Sequence, residues 1–179
     1  VILGLFVHMG ITYMTLLKIF TTMDIKHFLK SMAPVQLLGF STSSSGATLP
    51  VTMKRCEKDL GISEEISSFV LPLGATINMD GTALYQGVAA VFIAQAVGMD
   101  LTLANQFTIV ATAVLASIGT AAVPGAGIIM LIIILEAINV PSEGIALILG
   151  VDRILDMIRT ATNVTGDATV ASVMDSLER

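Results

Sequence analysis

Five polar residues near the C-terminal end of the chain have the types and the spacing of a binding site. Asp152, Asp156, Arg159, Asn163 and Asp167 follow one another at intervals of four, three, four and four residues, which places them on one stripe of an α-helix. The segment is otherwise apolar, and a charged side chain at bilayer depth costs about 2.5 to 3.5 kcal/mol even on mild scales. The stripe therefore predicts a site that holds a charged solute and cations inside a membrane.

The side chains of this stripe offer complementary chemistry. Arg159 can bind a carboxylate bidentately through its planar guanidinium, and Asp156, one turn away, can accept hydrogen bonds from an ammonium group. Asn163 can serve either end of an amino acid, and Asp167 suits a hard cation.

The alternative is a purely structural stripe that joins helices through internal ion pairs. Asp156 would then pair with Arg159, and Asp152 with Arg153. That arrangement leaves Asp80 and Asp167 unpaired, so it accounts for only part of the pattern.

The composition narrows the class of protein. Of 179 residues, 54% are hydrophobic and 13% are charged, whereas soluble domains carry about 25% charged residues, so a membrane protein is favoured. The net charge of −5 argues against a nucleic-acid partner. With a single cysteine, Cys56, the chain cannot form a disulfide framework. The sequence contains no recognisable nucleophile–base pair, so an enzyme is not expected.

Basic residues predict how the chain crosses the bilayer. Six of the nine Lys and Arg residues lie in two connections, which the positive-inside rule places on the cytoplasmic side. The segment between them is too short for two spans of about 20 residues, so it must return to the same side as a re-entrant hairpin. Residues 101–138 carry no basic side chain and are interpreted as a second hairpin that enters from outside.

Five segments are therefore expected to position the stripe, in an all-α membrane protein. They are a transmembrane span (1–20), re-entrant hairpin 1 (28–58), a discontinuous transmembrane helix broken at Asn78–Gly81 (66–98), re-entrant hairpin 2 (101–138) and the final transmembrane helix (143–175). Both predicted hairpin tips have a serine seven residues before a proline, at Ser43 and Ser117. The two hairpins have opposite orientations, which indicates an inverted repeat of the kind that places transporter sites at the bilayer midplane.

The tip of hairpin 1 and the helix break offer further ligands. The run Ser43–Gly46 presents hydroxyls and free N–H groups at a half-helix end, which favours anions; the alternative is a flexible Ser/Gly linker. Asn78, Asp80 and the carbonyls freed by the break are hard oxygen donors that suit Na⁺; the alternative is a turn outside the membrane. His8 stands alone on the first span and is interpreted as structural rather than as a proton relay.

Together these motifs resemble the dicarboxylate/amino acid:cation symporter family, which includes the excitatory glutamate transporters and archaeal aspartate-transporting relatives. The resemblance covers essentially the whole chain and rests on four motifs: Ser43–Pro50, Leu73–Thr82, Ser117–Gly127 and Asp156–Asp167. It implies a C-terminal transport-domain fragment that contains the sixth span, hairpin 1, span 7, hairpin 2 and span 8. The N-terminal scaffold spans are then expected to lie outside this chain.

The resemblance also implies roles at matching positions. Arg159 would bind the substrate side-chain carboxylate, Asp156 the amino group, and Asn163 with Ser45 the α-carboxylate. The full set of implied substrate ligands is Ser44, Ser45, Thr82, Val123, Gly127, Asp156, Arg159, Thr160 and Asn163. The implied sodium ligands are Gly74, Asn78, Asn163 and Asp167 for one ion, the carbonyls of Thr76, Ser117, Ile118 and Thr120 for a second, and Asn78 with Asp80 for a third.

The implied function is sodium-coupled symport of aspartate or glutamate by an elevator-type mechanism. The protein would be a multi-pass homotrimer in the plasma or inner cell membrane, with sodium as the coupling ion and no organic cofactor. The alternatives are a proton-coupled glutamate symporter or a dicarboxylate or neutral amino acid symporter of the same family and, from another class, an ion channel or a membrane structural module.

One departure from the family concerns a second arginine near the pocket. Family members usually carry it at a position that is Ser43 or Met157 here. Arg153, one turn from Met157, is expected either to supply this charge or to pair with Asp152.

Overall fold

The structure, a computed structural model, describes all 179 residues and contains helices but no strands. The all-α class predicted from the sequence is therefore confirmed. The helices are α1 (Ile2–His8), a π-helical turn (Met9–Tyr13), α2 (Met14–Phe20), α3 (Ile25–Thr42), α4 (Ser45–Lys58), α5 (Glu64–Ile77), α6 (Asp80–Ala96), α7 (Leu103–Ser117), α8 (Ala126–Ala137), a 3₁₀ turn (Ser142–Leu147) and α9 (Leu149–Glu178).

The first helical run is continuous from Ile2 to Phe20. Its 19 residues make it the one helix that is both long enough and apolar enough to cross a membrane by length and composition. The helices α7 and α8 are apolar but shorter, and the segment 66–98 is divided between α5 and α6.

Helices α3 and α4 are joined by only two residues. Ser43 ends α3 in the left-handed conformation, with φ 53°, and Ser44 begins α4 as its N-cap, where its side chain accepts a hydrogen bond from the Ala47 backbone N–H at 3.1 Å. A capping serine satisfies one of the free N–H groups at a helix start. The chain thus turns sharply at Ser43–Ser44, and Pro50 already lies inside α4.

The interruption between α5 and α6 is shorter than the sequence predicted. Only Asn78 and Met79 are non-helical, because Asp80 is the first residue of α6, where a carboxylate favours the positive end of the helix dipole. Gly81 is helical as well. The free main-chain groups of the break are therefore those around Asn78 and Met79.

The connection between α7 and α8 spans residues 118–125 and contains two left-handed glycines. Gly119 and Gly125 have φ of 81° and 78°, a region that glycine enters without steric cost. The last helix, α9, begins at Leu149 after the 3₁₀ turn, six residues later than the predicted start at 143.

Two apolar clusters flank α9. One joins α6, α7 and α8 through residues such as Ile93 and Leu131, with Leu155 of α9 packed against it. The other joins α2, α3 and α5, and includes Val164 and Ala168 of α9. Helix α9 therefore lies at the centre of the fold, where its polar stripe is covered by the other helices.

Candidate functional site

The polar stripe on α9 is buried inside the protein. Asp152, Asp156, Arg159, Asn163 and Asp167 are each exposed by 8% or less. Removing these groups from solvent is costly unless they find partners. Their partners therefore define the site.

Arg159 is the centre of the stripe and has three neighbours. Its Nη2 donates to Asp156 Oδ1 at 2.7 Å, and its Nη1 donates to Asp152 Oδ1 at 3.4 Å. The guanidinium also stacks on the ring of Tyr85, with its Cζ 3.7 Å from the ring centroid, a favourable cation–π contact. The Arg159 Nε has no hydrogen-bond partner.

The expected pairing of Asp152 with Arg153 is wrong. Arg153 is exposed and makes no ion pair, whereas Asp152 contacts Arg159. The reason is helical geometry: neighbouring residues such as Asp152 and Arg153 point about 100° apart, whereas residues seven apart, such as Asp152 and Arg159, return to nearly the same face. Arg153 is therefore not part of the buried stripe. Of the purely structural alternative, only the ion pair between Asp156 and Arg159 is present.

A small cavity lies beside this stripe, at the meeting point of the helix ends. Asp156, Thr160 and Asn163 line it from α9. The other lining residues come from the two helix junctions and the break, and they are Ser43, Ser45, Met79, Thr82, Thr120, Ala121, Ala122, Val123, Ala126 and Gly127. Seven of the nine implied substrate residues therefore surround one cavity. Ser44 and Arg159 are outside this lining, but each bonds to a residue of it, Ser44 to Ala122 and Arg159 to Asp156.

Gly127 allows the start of α8 to approach the guanidinium. A Cβ at this position would lie 3.4 Å from Arg159 Cζ and 3.3 Å from Thr82 Cγ2. The Gly127 carbonyl also accepts a hydrogen bond from Gln86 Nε2 at 3.2 Å. Sequence reasoning missed Tyr85 and Gln86, because only tertiary packing brings α6 against Arg159.

The connection 118–125 is tied to the other side of the cavity by hydrogen bonds. Ser44 Oγ donates to the Ala122 carbonyl at 2.6 Å, so the two helix junctions touch. The Gly125 N–H donates to Asp156 Oδ2 at 3.0 Å, and the Gly119 N–H donates to the Thr76 carbonyl at 2.8 Å. Asp156 and the Thr76 carbonyl, both implied ligands, therefore bond to this connection.

The implied first sodium group is compact. Asn78 Nδ2 donates to Asp167 Oδ1 at 3.0 Å, and a Cβ added to Gly74 would lie only 2.6 Å from that same oxygen. Asn163 Oδ1 accepts from the Gly81 N–H at 2.9 Å, and its Nδ2 donates to Thr82 Oγ1 at 3.2 Å. The four ligands come from α5, the break and α9.

The ligands implied for the second and third sodium ions lie around the cavity and at the helix break. Ser117 ends α7, Ile118 follows it, and Thr120 lines the cavity. Asp80, of the third group, is not unpaired: its Oδ2 accepts from His8 Nε2 at 2.7 Å and from the Tyr13 hydroxyl at 2.5 Å. His8 therefore has a partner on α6. No sequence spacing indicates this contact, because the two residues are 72 positions apart.

The charges of this region are unbalanced. The region holds four carboxylates, of Asp80, Asp152, Asp156 and Asp167, but one guanidinium, that of Arg159, which contacts only Asp152 and Asp156. The donors are carboxylate, amide, hydroxyl and carbonyl oxygens, and no group of three or more His, Cys, Asp or Glu side chains is arranged for a transition metal. An oxygen-rich, negatively charged region of this kind fits hard monovalent or divalent cations.

Comparison with known proteins gives a consistent result. The family model described as "Sodium:dicarboxylate symporter family" matches residues 1–177. The chain is 44% identical over all 179 residues to excitatory amino acid transporter 4 of Mus musculus and 42% identical to excitatory amino acid transporter 2 of Homo sapiens, of which it covers 32% and 31%. It is 45% identical over 177 residues to a putative sodium-dependent excitatory amino acid transporter of Caenorhabditis elegans and covers 36% of that protein. The chain thus spans about a third of the length of these relatives.

Proposed function

The chain belongs to the sodium:dicarboxylate symporter family, and we propose that it is the substrate- and sodium-binding part of a sodium-coupled symporter of acidic amino acids. The family is one of membrane transporters, not of enzymes. The relatives' names describe excitatory amino acid transport, which supports an amino acid with two carboxylates as the solute.

The observation that carries this proposal is the buried Arg159 beside Asp156 at the edge of the cavity. A guanidinium binds a carboxylate strongly when water is excluded, and Arg159 is 1% exposed. Asp156 lies on the cavity and accepts N–H donors, as its bond with the Gly125 N–H illustrates. A solute with both a carboxylate and an ammonium group offers a partner to each member of the Arg159–Asp156 ion pair, whereas a simple dicarboxylate offers a partner to Arg159 alone.

Binding of the solute requires an exchange of partners. The solute ammonium replaces the Gly125 N–H at Asp156, and the side-chain carboxylate takes the free donors of Arg159. Asn163 and the main chain and hydroxyls at Ser44 and Ser45 hold the α-carboxylate, while Thr82, Thr160, Val123 and Gly127 enclose the rest. Because the connection 118–125 bonds to Asp156, it must move when the solute enters, and so it acts as the gate.

Sodium is the second substrate in this proposal. Gly74, Asn78, Asn163 and Asp167 hold one ion; carbonyls of Thr76, Ser117, Ile118 and Thr120 hold a second; Asn78 and Asp80 contribute to a third. Coupling follows from charge, because an anionic solute adds to a region where carboxylates already outnumber the guanidinium. It also follows from geometry, because Asn163 serves both a sodium ion and the solute.

The remaining features belong to the whole transporter. In this proposal α3–α4 and α7–α8 are oppositely oriented re-entrant hairpins, residues 28–58 and 101–138, that form an inverted repeat. With the spans 1–20, 66–98 and 143–175 they compose a transport domain that moves as an elevator against scaffold spans outside this chain. The full-length protein is a homotrimer in the plasma or inner cell membrane.

Uptake by the full-length protein in proteoliposomes tests the proposal. We expect radiolabelled aspartate to accumulate under an inward sodium gradient and not when choline replaces sodium. Succinate and alanine should compete weakly, because each lacks one of the groups recognised by Arg159 and Asp156. Uptake that follows a proton gradient without sodium, or equal competition by succinate, would refute it.

A further inference from the structure

The π-helical turn at Met9–Tyr13 brings two polar side chains to the same face of one helix. His8 and Tyr13 are five residues apart, and in a regular α-helix they would point about 140° apart. The wider π turn reduces this angle, and the two rings meet edge to face with their centroids 4.8 Å apart. Single π turns inside α-helices are frequent at functional sites.

Both side chains bind the same oxygen of Asp80. His8 Nε2 and the Tyr13 hydroxyl reach Oδ2 at 2.7 and 2.5 Å. Because a carboxylate only accepts, His8 donates through Nε2, and its Nδ1 faces the Thr12 hydroxyl at 3.1 Å. Each carboxylate oxygen offers about two lone-pair sites, so Oδ2 is fully used.

The other oxygen of Asp80 is held less completely. Oδ1 accepts one hydrogen bond, at 2.9 Å from the Gly81 N–H, which is shared with Asn163 Oδ1, and keeps one lone-pair site free. The carboxylate is thus divided into an anchored oxygen and an available one. An anchored carboxylate presents its second oxygen in a fixed direction, which lowers the cost of ordering a cation site.

Tyr13 also lies close to the neighbouring sodium group, because its hydroxyl packs against Gly166, next to the implied ligand Asp167. A Cβ added to Gly166 would lie 2.7 Å from the Tyr13 hydroxyl and 2.9 Å from Asn78 Nδ2. Gly166 precedes Asp167, whose Oδ1 accepts from Asn78. The hydroxyl of the buried Tyr13 therefore binds Asp80 and approaches the backbone at Gly166, the position that Asn78 Nδ2 also approaches.

We propose that the π turn makes Tyr13 and His8 positioning residues for the sodium ions: they anchor Oδ2 of Asp80 and so direct Oδ1 to the cation. This inference rests on the proposed function, because it assigns a role to residues next to the sodium ligands. Tyr13 is the principal element, since its hydroxyl binds Asp80 directly and packs against Gly166 beside Asp167, and the residue is only 3% exposed.

Sodium-dependent stabilisation of the purified full-length protein tests this role without transport. The thermal midpoint is measured against sodium concentration, without aspartate, with choline chloride holding the ionic strength constant. For Tyr13→Phe we expect the half-maximal sodium concentration to rise roughly tenfold, as for the loss of a hydrogen bond to a charged group. The midpoint in choline alone reports any merely structural effect.

Two further variants control the measurement. Thr15→Val removes a hydroxyl from the exposed face of the same helix and should leave the sodium dependence unchanged. Thr12→Val, which removes only the hydroxyl behind His8, should shift it in the same direction as Tyr13→Phe by roughly two- to threefold. If Tyr13→Phe does not fold, the sodium dependence of Thr12→Val still tests the inference.

The outcomes separate this inference from the proposed function. An unchanged sodium dependence in Tyr13→Phe and Thr12→Val overturns the inference. A lower sodium requirement also overturns it, because the hydroxyl would then compete with the cation. A wild-type protein that sodium does not stabilise contradicts the proposed function itself.

Discussion

The substitution Gly74→Ala tests the sodium group around Asp167 most sharply. A Cβ at position 74 would lie 2.6 Å from Asp167 Oδ1 and 3.0 Å from Asp167 Cγ. The distance to Oδ1 is shorter than Cβ atoms make with neighbouring atoms in folded proteins, so the carboxylate must move. Its Oδ1 also accepts from Asn78, and that hydrogen bond must lengthen or break. The change keeps the Gly74 carbonyl, so any loss is assigned to the displaced carboxylate.

A matched glycine in α6 isolates this effect. A Cβ at Gly87 meets nothing within 4 Å, so Gly87→Ala should gain up to about 1 kcal/mol of helix stability. Gly74→Ala has the same helical gain but introduces a clash of the kind that costs about 1 to 3 kcal/mol. We therefore expect Gly74→Ala to be less stable than Gly87→Ala by about 1 to 3 kcal/mol.

The assay is aspartate binding to the full-length protein at several sodium concentrations. Gly74→Ala should require roughly tenfold more sodium for the same aspartate affinity, a change that corresponds to about 1.4 kcal/mol, while Gly87→Ala should match the wild type. A Gly74→Ala protein with wild-type sodium dependence would refute the assignment of Asp167 to a cation.

Three further predictions concern the cavity. Ser44→Ala should weaken aspartate binding roughly 2- to 13-fold, because it loses the hydrogen bond to the Ala122 carbonyl. Ser63→Ala, which removes the N-cap of α5 but has no such contact, should leave aspartate binding unchanged. Equal effects of the two substitutions in a calorimetric titration would contradict a role of Ser44 in closing the connection 118–125 over the cavity. Arg153→Gln should leave aspartate uptake unchanged because Arg153 is exposed, and a clear loss of uptake would show that its charge acts on the pocket. Asp156→Asn should lower aspartate affinity at least tenfold, since a charged partner of the ammonium is lost, yet change competition by succinate little; a parallel loss for both ligands would argue against contact with the ammonium.

Local features of the fold were readable from the sequence. The N-caps at Ser44 and Ser63, the basic connections and the helical spacing of the stripe are local signals. The same spacing already separates Asp152 from Arg153, because only the former returns to the face of Arg159.

Long-range contacts were not readable in this way. The approach of His8 and Tyr13 to Asp80 depends on a π turn, which has no recognised sequence signature, and on contacts across more than 60 residues. The stacking of Arg159 on Tyr85 likewise arises from the packing of α6 on α9. The break at Asn78–Met79 was located, but its end was misjudged because Asp80 favours a helix start.

The central claim is that an acidic amino acid and sodium bind this region together. Calorimetric titration of the full-length protein with aspartate, at low and at high sodium with constant ionic strength, tests it directly. We expect aspartate affinity to rise steeply with sodium, because the cations offset the excess carboxylate charge in the region around Arg159. An aspartate affinity that is the same at both sodium concentrations would contradict it.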